Sequence, residues 1–73
     1  MHVNVCKLKG KIVECGLTQK KVAELIGIDR STFYRKLKNE GLEFSVGEMH
    51  SMCRALDLSG AEAIEIFLSE LSQ

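Results

Sequence analysis

The nine residues Arg30 to Lys38, RSTFYRKLK, combine two arginines, two lysines, two hydroxyls and a phenol in one short stretch. On a helix, Phe33 and Leu37 fall one turn apart on a single face. Ser31, Arg35 and Lys38 then point the opposite way, Thr32 and Tyr34 flank them, and Arg30 projects from the helix start. The planar fork of an arginine matches the O6 and N7 acceptors of guanine, a contact worth roughly 1–3 kcal/mol of discrimination. Arg35 and Arg30 are therefore candidates for direct base contact. Ser31 and Thr32 are short enough to serve a base edge or a phosphate. Tyr34 either donates its hydroxyl to a phosphate or packs against the preceding helix. Lys20, Lys21 and Lys38 suit a phosphate backbone, where they fix register without reading sequence. For any single lysine, plain solubility explains the residue about as well.

These side chains need a scaffold, and residues 17–38, LTQKKVAELIGIDRSTFYRKLK, supply one. Thr18 is a good N-cap for a helix over Gln19 to Ile26. Gly27 stops that helix because glycine enters the left-handed conformation without strain. Ile28 occupies the turn, and Asp29 caps a second helix, Arg30 to Lys38, through the amide of Thr32. Two helices crossing steeply after so short a turn need a small residue at the crossing and a large apolar one to fill the angle. Ala23 and Phe33 stand at those positions, with Val22, Ile26 and Ile28 around them. The spacing predicts a helix-turn-helix over residues 18–38, a unit that presents its second helix to the major groove of double-stranded DNA. The plainer alternative is a helical hairpin inside a small bundle.

The chain has 73 residues, no proline and few aromatics, which predicts one all-α domain over residues 1–73 with five helices and a thin core. The first helix is expected from Asn4 or Val5 to Cys15, with Val5, Leu8, Ile12 and Cys15 as its apolar stripe. Gly10 weakens it by roughly 1 kcal/mol relative to alanine. Asn39 to Phe44 reads as a loop, with Leu42 and Phe44 tucked under the domain. Ser45 and Glu48 form a capping box opening a helix with Val46, Met49, Cys53 and Leu56 on its inner face and Met52 as core filler. Ser59 and Glu62 repeat the box for a last helix to about Leu71. Its inner face is expected to be Ala61, Ile64, Phe67, Leu68 and Leu71. Ile66 falls about 160° from the centre of that face at 100° per residue. Together with Ala63, part of Phe67 and the neighbouring Glu70, it marks a weak candidate for a homodimer contact.

Net charge is zero, but its distribution is uneven. Residues 1–38 hold nine basic and three acidic side chains, a net +6, and residues 39–73 hold one basic and seven acidic, a net −6. A basic half suits phosphates while the acidic half stays solvated. The other reading is mutual neutralisation within the molecule or between copies. Cys6, Cys15 and Cys53 form no CxxC pair and read as reduced, mostly buried thiols. His50 and Cys53 are two potential ligands where zinc takes four, so no metal or other cofactor is expected. No nucleotide loop, carboxylate pair or nucleophile–base pair points to an enzyme. No apolar run approaches the roughly 20 residues that span a bilayer, and no signal-peptide pattern precedes the domain, so a cytoplasmic location is expected.

Taken in order, the G-L-T-Q segment, V-A-x-x-I-G-I, R-S-T-F-Y-R-K-L, S-x-x-E-M, C-x-A-L-x-L and A-I-E-I-F resemble the lambda-repressor-like (Cro/cI-type) helix-turn-helix domains, especially small phage-type regulators. The resemblance covers nearly the whole chain. Gly27 to Leu37 alone also resembles Fis-type DNA-binding ends. The repressor-like resemblance implies five helices, sequence-specific binding of double-stranded DNA, transcriptional regulation and a homodimer on a palindromic operator. By position it implies that Gln19 touches a phosphate and that Arg30, Ser31 and Arg35 face bases. Lys36 departs from the pattern, standing where many relatives carry an apolar core residue. The serious rival is a protein-interaction module that keeps the shape without using it on DNA. It would cover the outward face of Arg30 to Lys38 with a partner or an acidic neighbour.

Overall fold

The computed structural model describes residues 3–41 and 43–68. Among these, five helices and no strands are found: α1 Val5–Glu14, α2 Gln19–Ile26, α3 Arg30–Lys38, α4 Val46–Ala55 and α5 Gly60–Phe67. Each helix starts where a side chain satisfies amides that the helix itself leaves open. Asn4 accepts the Lys7 amide at 3.0 Å, and Thr18 accepts that of Lys21 at 3.1 Å. Asp29 accepts the amide of Ser31 at 3.1 Å, one residue earlier than Thr32, the partner expected from the sequence. Both capping boxes are complete: Ser45 with Glu48 and Ser59 with Glu62 exchange their reciprocal bonds.

The core draws on every helix. Phe33, Leu8, Ile12, Met52, Leu56, Val3 and Val22 are fully buried. α2 is the hub, packing on α1, α3 and α4, while α5 closes against α1. Phe33 meets Phe44 with ring centroids 5.5 Å apart, so the loop after α3 folds back under the recognition angle as expected for Phe44. Leu42, also expected to tuck in, lies outside the described residues.

Several face assignments change. Ile66 and Phe67 are 3% and 4% exposed, so the edge proposed for a dimer contact is part of the monomer's own core. The cause is the segment before α1: Asn4 donates its amide to the Ile66 carbonyl at 2.7 Å, laying Val3 and Asn4 across the end of α5. Ala63 is half-buried, Ile64 and Ala61 are exposed rather than inward, and α5 ends at Phe67 with Leu68 as its C-cap. Glu70 and Leu71 lie outside the described residues. Val46, expected inside, is 79% exposed because it begins the first turn of α4, off the end of the core. Cys6 and Cys15 are exposed and Cys53 is partly covered, so the thiols are not the buried set anticipated. Burial pushes the Cys53 thiol above its ordinary range.

Candidate nucleic-acid interface

The turn between α2 and α3 is built by backbone chemistry. Gly27 adopts φ 81°, and Ile28 donates its amide to the Ala23 carbonyl at 3.0 Å, closing the end of α2. A Cβ on Gly27 would meet nothing within 4 Å, so its left-handed φ alone calls for glycine. Ala23 and Phe33 are both buried, one small and one large, at the crossing.

With Phe33 and Leu37 turned inward, Arg30, Ser31, Tyr34, Arg35 and Lys38 are exposed and Thr32 is half-buried. Gln19 is half-buried and Lys20 exposed at the start of α2. A shallow cleft joins the two helices and is lined by Gln19, Tyr34, Leu37 and Lys38, together with Lys9 of α1. Gln19, Tyr34 and Lys38 therefore share one face. Lys9, not among the site residues expected from the sequence, joins them. Nothing local in α1 marks it, because its place depends on how α1 docks against α2.

Salt bridges sort the cations. Lys7 pairs with Glu65 at 2.8 Å, Lys11 with Glu62 at 2.7 Å, Lys36 with Glu48 at 2.7 Å and Arg35 with Glu43 at 2.7 Å. Each pair joins the basic half to the acidic half, so part of the charge asymmetry is consumed inside the molecule. Lys21 reaches Glu24 at 3.7 Å. Among the described residues, Lys9, Lys20, Arg30, Lys38 and Arg54 have no carboxylate within 4.0 Å. The first four lie on α1, the start of α2 or α3, and Arg54 lies in the last turn of α4.

Two lysines are structural. Lys36 and Glu48 keep only 13% and 18% of their side-chain surface, and the Lys36 ammonium sits 5.8 Å from the Phe44 ring centroid. The aliphatic stem of Lys36 thus fills the place of an apolar residue while its charge ends on a carboxylate. Its bond to Glu48, with the Ser45 amide, holds that carboxyl below the ordinary range. Lys11 does the same for Glu62, whose pKa is pulled down to about 2 chiefly by the lysine hydrogen bond. The reciprocal effect raises Lys11.

The start of α3 is more committed than its sequence suggests. The Ser31 hydroxyl donates to Asp29, whose carboxylate also takes the Ser31 amide. That hydroxyl holds the Asp29 carboxyl below its usual pKa and has no proton left for a phosphate oxygen. Arg35 donates from Nη1 to Glu43 Oε1, and Asn39 donates to the other oxygen of Glu43. Arg35 and Glu43 keep 59% and 43% of their side-chain surface, so the guanidinium remains open to solvent beside its partner. Glu43 lies eight residues beyond Arg35, in the loop, and no helical periodicity announces it.

Among the described residues, no group of three or more His, Cys, Asp or Glu side chains is placed to hold a metal. None of the helices is long and apolar enough to cross a membrane. A family model described as the Cro/C1-type HTH DNA-binding domain matches residues 7–67. No curated protein and no solved structure matches the chain.

Proposed function

Because the chain belongs to the Cro/C1-type helix-turn-helix DNA-binding family, we propose that it is a sequence-specific, repressor-like transcriptional regulator that lays α3 in the major groove of duplex DNA. The observation that carries this reading is that two cations without carboxylate partners line the cleft joining α2 and α3. Lys9 and Lys38 flank Gln19 and Tyr34 in a single cleft, where the free amides at the start of α2 favour an anion. Gln19, Lys20, Lys38, Tyr34 and Lys9 then take phosphate oxygens, and Arg30 and Arg35 take base edges. Ser31 stiffens the start of α3 through Asp29, and Thr32, half-buried, supports the flank. On a palindromic operator, two copies place their α3 helices about 34 Å apart, one DNA turn.

Glu43 is the acidic neighbour that a protein-interaction module would use to cover this face. The large exposed fraction of Arg35 beside it argues for an open reading surface instead. The test is binding to a random-sequence duplex pool at two salt concentrations, followed by sequencing of the retained fraction. The expected result is retention at low salt, a steep loss as salt rises, and a recurrent motif among bound sequences. No retention at low salt turns the reading to the interaction module.

A further inference from the structure

We propose that Glu43 is a positioning residue that sets the base preference of Arg35, a proposal that rests on the DNA-binding reading above. Three contacts make the case. Arg35 Nη1 donates to Glu43 Oε1 at 2.7 Å. The second oxygen of the same carboxylate takes the side-chain amide of Asn39, the C-cap of α3. Phe44, the next residue, is buried against Phe33, so the backbone carrying Glu43 is anchored to the core directly beneath the reading helix.

The carboxylate thus occupies a fixed point between the end of α3 and the loop, with both oxygens in use. The contact engages one N–H of Arg35 and leaves the Nε and Nη2 donors for the paired acceptors of a guanine edge. A free arginine at this position would sweep many rotamers and reach phosphates as readily as bases. Held by Glu43, it loses part of that freedom before DNA arrives, and the negative charge disfavours a nearby phosphate. Both effects lower binding to arbitrary sequence more than binding to the preferred one. The pair does not shut the site, because exposed ion pairs are weak enough to rearrange at little cost.

The experiment compares wild type, Glu43→Gln, Glu43→Ala, Arg35→Ala and the Arg35→Ala/Glu43→Ala double variant on a randomised duplex pool. Dissociation constants for a selected duplex and a scrambled one accompany the selections, and thermal melts confirm folding. Both Glu43 variants are expected to bind scrambled duplex about threefold more tightly and to lose about three- to tenfold in the selected-to-scrambled ratio, as for removal of a rim charge facing phosphates. The loss should fall on the same base pair that Arg35→Ala erases, and Glu43→Ala should leave the selected-to-scrambled ratio unchanged in the Arg35→Ala background. An unchanged ratio, a loss spread over all positions, or an equal effect without Arg35 overturns the proposal. Failure of wild type to bind the pool at low salt overturns the DNA-binding reading itself, and this inference with it.

Discussion

Lys36 Nζ stands 2.7 Å from Glu48 Oε1, and the same oxygen accepts the Ser45 amide at 2.9 Å. One carboxylate therefore closes the cap of α4 and ties α4 to α3. Removing one partner strands the other in a largely covered site, while removing both leaves no uncompensated charge. Glu48→Gln is expected to cost about 2 kcal/mol and Lys36→Met about 1 kcal/mol. The double variant should cost less than the two combined. Each kcal/mol should lower the melting temperature by about 4–8 °C in a domain of this size. Additive losses across the four proteins would remove the coupling.

Acid should loosen the fold through the two capping-box glutamates. Glu62 sits at about 2 in the folded protein against an ordinary 4.5, and Glu48 is lowered in the same direction. A depressed carboxyl stabilises the fold above its unfolded pKa and loses that contribution as pH falls. Melting temperature should thus drop between about pH 5 and pH 2, and Glu62→Gln should flatten the curve in that window. Lys11, raised by the same contact, contributes fully below 10.5 and loses its share above it. A Glu62→Gln curve parallel to wild type in acid would count against this assignment.

Three glycines should answer to alanine in three different ways. Gly10 lies inside α1 with nothing within 4 Å of a built Cβ, so alanine should stabilise by about 0.5–1 kcal/mol. Gly27 has the same open space but φ 81°, and alanine there should cost about 1–2 kcal/mol. Gly41 combines φ 72° with a Cβ that would stand 2.8 Å from Val3 Cβ, so its alanine variant should lose more than about 2 kcal/mol. Urea titration of the three variants gives the ranking directly, and Gly41 tolerating alanine as well as Gly27 does would contradict the clash.

On DNA, Arg35→Ala and Lys9→Ala should fail differently. The arginine variant should lose the preference at the base pair that Arg35 reads, and with it much of the selected-to-scrambled ratio, keeping a salt-sensitive remainder. The lysine variant should weaken both equally and reduce the slope of log affinity against log salt by about 0.9, one phosphate contact. Fluorescence anisotropy across a salt series separates the two. An unchanged slope for Lys9→Ala would take that residue off the phosphate path.

What could be read from the sequence was what neighbouring residues decide. Thr18, Gly27, Ser45 with Glu48, and Ser59 with Glu62 act within one turn of their own positions, and all stand where the chain order put them. The inward turn of Phe33 and Leu37 followed for the same reason, and with it the exposure of Arg30 and Arg35. Ile66 was misjudged because its cover comes from Val3 and Asn4, at the other end of the chain. Lys11 and Glu62 are 51 residues apart, and no periodicity reports such a partner. Whether the basic half is neutralised within the molecule stayed open in the sequence, and distance sorts its cations into those paired with carboxylates and those left open.

Val3 is fully buried, and it fills the space that a side chain on Gly41 would need. The first described residue of the chain is thereby wedged against the turn that releases α3, while Asn4 beside it is pinned to the end of α5. Shortening Val3 to alanine would slacken the exit of α3 from a point remote from Arg30 and Arg35. Hastened solvent exchange of the Gly41 amide, which bonds the Lys36 carbonyl at 2.9 Å, is where that slackening would register. Val3, from another segment of the chain, thus bears directly on the turn at the end of α3.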